Sequence, residues 1–132
     1  LSAVSQAQFL AAKYAPRLLH HALFSTARGE DAPLSRDPHF EEVSRQMLIG
    51  ALAHGAVNFR REIKAYVADW TSLLPKIRQP VTLWHGQSDN WSPPAMAECL
   101  ALALPNVVAT HRLHGLSHYS TLRHWLTTFG AG

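Results

Sequence analysis

The sequence predicts an α/β protein in two parts: a mainly helical segment over residues 1–70, then a β-α-β-α piece of a doubly wound parallel sheet over residues 71–132. Three observations carry this. Apolar residues recur at intervals of three to five through the first seventy positions, with no stretch that alternates like a strand. After Trp70 the segment TSLLPKIRQP, with Pro75 and Pro80, breaks that pattern and marks a boundary. Beyond it two short apolar runs, Val81-Thr82-Leu83-Trp84 and Val107 to Leu113, flank one helical stretch. A crossover of that content makes a right-handed βαβ unit with parallel strands the natural arrangement.

Taken in order, residues Gln6 to Ala27 read as helical through Phe9, Leu10, Tyr14, Leu18, Leu19, Ala22 and Leu23, with Pro16 starting a new helix or kinking this one. GEDAPLSR, Gly29 to Arg36, reads as a loop. Asp37-Pro38 supplies an N-cap and a proline at the first helical position, and opens a helix along Phe40, Val43, Met47, Ile49 and Leu52. Asn58 is the cap expected for a further helix, whose Phe59, Ile63, Tyr66, Val67 and Trp70 share a face. In the second part, Ser92-Pro93-Pro94 forms a cap and a proline-tolerant first turn, followed by Met96, Cys99, Leu100 and Ala103 at i, i+3, i+4 and i+7. Pro105-Asn106 ends that helix. The turn-rich His114-Gly115-Leu116-Ser117-His118 follows the second strand, and Leu122, Trp125, Leu126 and Phe129 mark a last amphipathic helix.

Composition narrows the function. With 132 residues, 47% hydrophobic and 16% charged, the chain has the length and apolar content for a core of its own. A formal charge of +3, with basic residues scattered, argues against a nucleic-acid partner. The one basic cluster, Arg60, Arg61 and Lys64, reads as a solvated helix face. A single cysteine, Cys99, allows no internal disulfide and suits a reducing compartment. No apolar run approaches a membrane span and no signal-peptide order opens the chain, so a cytoplasmic protein without a membrane partner is expected. The start, Leu1-Ser2-Ala3-Val4, lacks an initiator Met and reads as the beginning of a fragment or a processed piece.

The stretch VTLWHGQSDNWSPP, Val81 to Pro94, supports two chemical readings. Gly86-Gln87-Ser88 is the first half of a G-x-S-x-G nucleophile turn, and Asp89 is a carboxylate able to orient a histidine. A nucleophile turn needs small residues on both sides of the serine and a helix that begins at once. Here Asp89, Asn90 and Trp91 follow Ser88, and the helix waits until Pro93. Gly115-Leu116-Ser117-His118-Tyr119 fails likewise, with Tyr119 where a glycine is needed. Neither serine fits the nucleophile. Residues 71–132 hold two carboxylates, Asp89 and Glu98, and Glu98 lies mid-helix on the solvated side. Reactive groups in open parallel sheets collect at strand C-termini, and these two strand ends deliver Asp89 and His118.

Residues 75 to 118 resemble the C-terminal part of an α/β-hydrolase. In that superfamily a phrase like PKIRQPVTLWHGQSDNWSPP leads into the strand that presents the catalytic acid, and a G-x-x-H phrase like Gly115-Leu116-Ser117-His118 presents the catalytic histidine. Asp89 matches the acid and His118 the histidine, and the interval between them holds one helix and one strand, as in the family. The resemblance implies that His118 takes a proton from a nucleophile and returns it to the leaving group, while Asp89 holds the imidazole tautomer. Residues 1–70 are similar to the cap such enzymes insert before these strands. The nucleophile, an oxyanion-hole donor and most of the sheet lie upstream of the acid in this superfamily, and nothing in residues 1–80 is similar to them. The implied fold is therefore an incomplete α/β-hydrolase, inactive alone, acting on a small ester, amide or related acyl substrate. The nucleophile's identity stays open among Ser, Cys and Asp.

Other readings stand beside this one. Taken singly, an Asp beside a helix cap and a His on a loop are more often structural than catalytic. His111, His114 and His118 invite a metal reading, but they lie on a strand and a glycine-bent loop rather than one helical face, and no metal or cofactor is expected. Cys99 falls on the apolar face of its helix, a poor place for a thiolate. His20, His21 and His124 read as surface or packing residues, and His85 as packing at the strand end or lining the site. A non-enzymatic interaction module is the alternative of a different class. A two-stranded sheet has unpaired edges, so the expected partners, besides a small-molecule substrate, are the missing N-terminal half of the hydrolase or a second copy of the chain.

Overall fold

A computed structural model describes residues 7, 10–52 and 55–130 of the chain. Its elements are α1 (Pro16–Phe24), α2 (Asp31–Leu34), α3 (Pro38–Leu52), α4 (Gly55–Tyr66), a 3-10 turn (Thr71–Lys76), β1 (Val81–Gly86), α5 (Pro94–Ala103), β2 (Val107–Leu113) and α6 (His118–Phe129). Residues 10–14 are also helical. The protein is thus mixed helix and sheet, and the sheet is one parallel pair of strands. Phe9 lies outside the described residues, as do the side chains of Leu52 and Phe59.

The chain divides into two compact units, Leu1–Thr26 with Ser35–Ala68, and Ala27–Leu34 with Asp69–Gly132. In the first unit Ala15 leaves helical geometry and Pro16 opens α1 at its first turn, where a missing amide hydrogen costs nothing. Asp37 Oδ1 accepts the Phe40 amide (2.8 Å), the cap that Asp37-Pro38 predicts. α1 packs on α3, and its buried residues are Leu19, His20 and Phe24. His20 is fully buried with both ring nitrogens engaged: Nε2–H donates to Ser35 O (2.9 Å), and Nδ1 accepts from Ser44 Oγ (2.5 Å). Phe24 and Phe40 close around the ring. This imidazole is a hydrogen-bonded core group. α4 runs straight through Asn58, so the expected cap there is not a helix start; Asn at an N-cap contributes about 1 kcal/mol, too little to open a helix against the turns on either side. Its expected apolar face is exposed at Ile63 and Tyr66.

In the second unit β1 and β2 pair from Val81↔Val107 to Gly86↔Leu113, with one irregularity between Val81 and Thr82. β2 alternates between half-buried and exposed positions along its whole length, the period-2 pattern of a strand covered on one face. Trp84 and His111 are register partners, and their rings stack at 3.8 Å. Phe129 of α6 meets Trp84 edge-on at 5.3 Å, which lays α6 against that part of the sheet. Residues 31–34, within the expected loop, form the short helix α2, and this segment belongs with the sheet unit rather than with the helices around it in sequence. α5 turns Ala97 inward and leaves Met96 and Cys99 exposed, so its buried face is rotated from the one the apolar spacing predicts. Among the described residues, no helix is long and apolar enough to cross a membrane.

Candidate active site

The ends of β1 and β2 are joined backbone to backbone. Gln87 N–H donates to Leu113 O (3.0 Å) and Ser88 N–H to Leu116 O (2.9 Å), so the loop after β1 is sewn to the loop after β2. Gly86 permits this. A Cβ there would stand 2.5 Å from Leu116 O and 2.6 Å from Ser117 O, inside contact distance. Gly115, in the facing loop, has φ of +76°, a left-handed conformation that suits glycine, and it turns the chain toward α6.

Asp89 follows directly and is buried. Its Oδ1 accepts the amides of Trp91 (2.9 Å) and Ser92 (2.8 Å), a local turn that fixes the carboxylate plane. The Ser92 amide is thereby occupied, and Ser92 is not the cap of α5: Pro93 holds that position with no side-chain hydrogen bond. Ser92 O accepts from His85 Nε2–H (2.8 Å), so His85, expected to pack or to line the site, ties the far end of the Asp89 loop back to its strand. With Oδ1 committed, Oδ2 accepts from His118 Nδ1–H (2.9 Å).

His118 is the first residue of α6, and its side chain is 38% exposed against 5% for Asp89. A carboxylate can only accept, so Nδ1 carries a proton toward Asp89, and in the neutral ring Nε2 is the nitrogen with the lone pair. Among the described residues Nε2 has no hydrogen-bond partner. The ring is flanked by Trp91 (5.6 Å between centroids) and Tyr119 (5.2 Å), which also meet each other edge to face. The Tyr119 phenol is pushed up from its ordinary range, first by burial and then by the Asp31 carboxylate.

The two residues singled out from the sequence are therefore brought together, 29 positions apart, with the geometry of an oriented base. Ser88 packs beside Gly29, and Ser117 is 1% exposed beneath the start of α6. Glu98 pairs with Arg112 on the surface at 3.4 Å. His111 is stacked in the sheet, and among the described residues no three His, Cys, Asp or Glu side chains converge to hold a metal ion. The sequence did not single out Asp31. Its buried carboxylate reaches the first turn of α6 from 88 residues away, a link that no local spacing signals. No family model, curated protein or solved structure matches the chain.

Proposed function

We propose that the chain is the acid–histidine portion of an α/β-hydrolase, in which His118 is the general base and acid and Asp89 orients it toward a nucleophile supplied from outside these 132 residues. The observation that supports this most is the carboxylate with one oxygen locked by two amides and the other accepting His118 Nδ1–H at 2.9 Å. In the proposed reaction Nε2 removes the proton of the nucleophile as it attacks the acyl carbon. The same nitrogen then returns the proton to the departing alcohol or amine, and Asp89 offsets the positive charge on the ring between the two steps. The half-exposed ring edge supports a role that needs access to a reacting group. The burial of Ser117, and the packing of Ser88 against backbone, support a nucleophile elsewhere.

The substrate proposed is a small ester, amide or similar acyl compound, and neither a cofactor nor a metal takes part. The test joins this chain to the nucleophile-bearing part of the protein and measures hydrolysis of generic p-nitrophenyl esters. Activity is expected in the wild type and lost in both His118→Ala and Asp89→Ala. Full activity in either variant would sink the proposal.

A second reading, an association module derived from the same fold, is favoured by one observation: Leu102 is 89% and Val108 60% exposed beside a sheet of two strands. Light scattering of the chain over a range of concentrations separates the readings. A strictly monomeric species counts against the module.

A further inference from the structure

An α-helix leaves the amides of its first turn without partners inside the helix, and the side chain of the preceding residue ordinarily supplies one. α6 has Ser117 and Ser120 in a capping box at its start, and a second anchor besides. The Tyr119 amide donates to Asp31 Oδ2 (2.9 Å), and the Ser120 amide (2.7 Å) and hydroxyl (2.6 Å) both donate to Asp31 Oδ1. The Ser117 amide in turn donates to Ser120 Oγ (2.8 Å), which closes a chain from the backbone before His118 to the Asp31 carboxylate. Asp31 is 3% exposed, and among the described residues these three hydrogen bonds are all it accepts. Its own segment is fixed to the same loop, because the Glu30 amide donates to Gly115 O (3.0 Å).

Burying a carboxylate is costly unless it is fully hydrogen-bonded, and a neutral serine, Ser117, already stands at the capping position. A charged group brought from a remote segment does two things that a serine hydroxyl does not. It pins the two residues that follow His118, and with them the Cα–Cβ direction of the imidazole. It also places negative charge at the positive end of the helix dipole, where a protonated imidazole at the first helical position would otherwise be opposed.

The geometry points to Asp31 as a positioning residue for His118, which fixes the first turn of α6 so that Nδ1–H meets Asp89 Oδ2. This rests on the reading of Asp89 and His118 as acid and base. The test uses the full 132-residue chain, isotope-labelled, with Asp31→Ala and Asp31→Asn. The readouts are amide hydrogen exchange and the His118 Nδ1–H resonance, which is assigned by its absence in His118→Gln. In Asp31→Ala the Tyr119 and Ser120 amides exchange about tenfold faster and the Nδ1–H resonance broadens or disappears. The Gln87 and Ser88 amides, bonded to Leu113 and Leu116, keep their protection. Asp31→Asn retains an acceptor for Ser120 but sets an amide group against the Tyr119 N–H, so it shows the same pattern to a smaller degree. It carries the test if Asp31→Ala does not fold. A retained Nδ1–H resonance, or an equal loss of protection at Gln87 and Ser88, overturns the positioning role. Hydrolysis that survives His118→Ala overturns the catalytic reading alone and leaves the result on Asp31 standing.

Discussion

Replacing Asp89 with Asn exchanges one carboxylate oxygen for an amide group in a site where both oxygens are in use. The new side chain has two ways to sit. With its oxygen on the Trp91 and Ser92 amides, its NH2 faces His118 and donates to Nδ1. The histidine must then carry its proton on Nε2, where a base needs a lone pair. Turned the other way, the NH2 confronts two backbone amides, and two part-buried donors lose their acceptor at about 1–3 kcal/mol each. The productive tautomer is therefore disfavoured by roughly 2–6 kcal/mol, which at about 1.4 kcal/mol per tenfold is a fall in kcat of about 30-fold to 10⁴-fold. The fold is unaffected, because the first orientation satisfies every backbone partner. The assay is steady-state hydrolysis of a p-nitrophenyl ester by the wild type and Asp89→Asn, each joined to the nucleophile-bearing part, with circular dichroism as a control. A kcat within about threefold of wild type, below the smallest loss derived from the two stranded donors, refutes the reasoning.

Three further outcomes are expected. Gly86→Ala puts a methyl against Leu116 O, which accepts the Ser88 amide, and Ser117 O, which accepts the Thr121 amide and hydroxyl, so neither retreats without straining a hydrogen bond and the sheet unit is destabilised by about 1–3 kcal/mol in urea denaturation. The Arg45 and Gln46 side chains hold the Glu42 carboxyl down at about 2, so the pair stabilises the helical unit above the ordinary carboxylate range and that contribution is lost as the pH falls toward 2. Carbon NMR of Glu42 should give that low midpoint, and Arg45→Ala should raise it toward the ordinary range while the Gln46 hydrogen bond keeps it below. The Tyr119 phenol, raised by burial and by Asp31, should titrate above the ordinary tyrosine range by ultraviolet absorbance, and Asp31→Asn should bring it down without erasing the part due to burial.

Features that depend on near neighbours were legible in the sequence. The Asp37-Pro38 start of α3 was, because a cap and its amide lie three residues apart. Both strands were, from short apolar runs; β1 extends two residues beyond Trp84 because His85 and Gly86 find partners in Arg112 and Leu113. Asp89 and His118 each sit at a strand end that the pattern locates, so the pair could be named before its hydrogen bond was seen. What escaped was decided by competition at a distance. Cys99 reads as buried until α5 docks with Ala97 inward. Asp31 reads as one acid in a polar loop, and only the folded chain brings it to the helix that begins with His118.

Chemical rescue tests the proposed role of His118 most directly. His118→Gly removes the imidazole and leaves a cavity beside Trp91 and Tyr119 where a free imidazole can enter. In the protein that carries the nucleophile, ester hydrolysis by this variant should fall by about 10³-fold or more. Added imidazole should then restore it along a saturating curve above the imidazole-only rate. Turnover by His118→Gly at the wild-type rate, or a loss that imidazole does not relieve, would contradict the claim that this ring moves the proton.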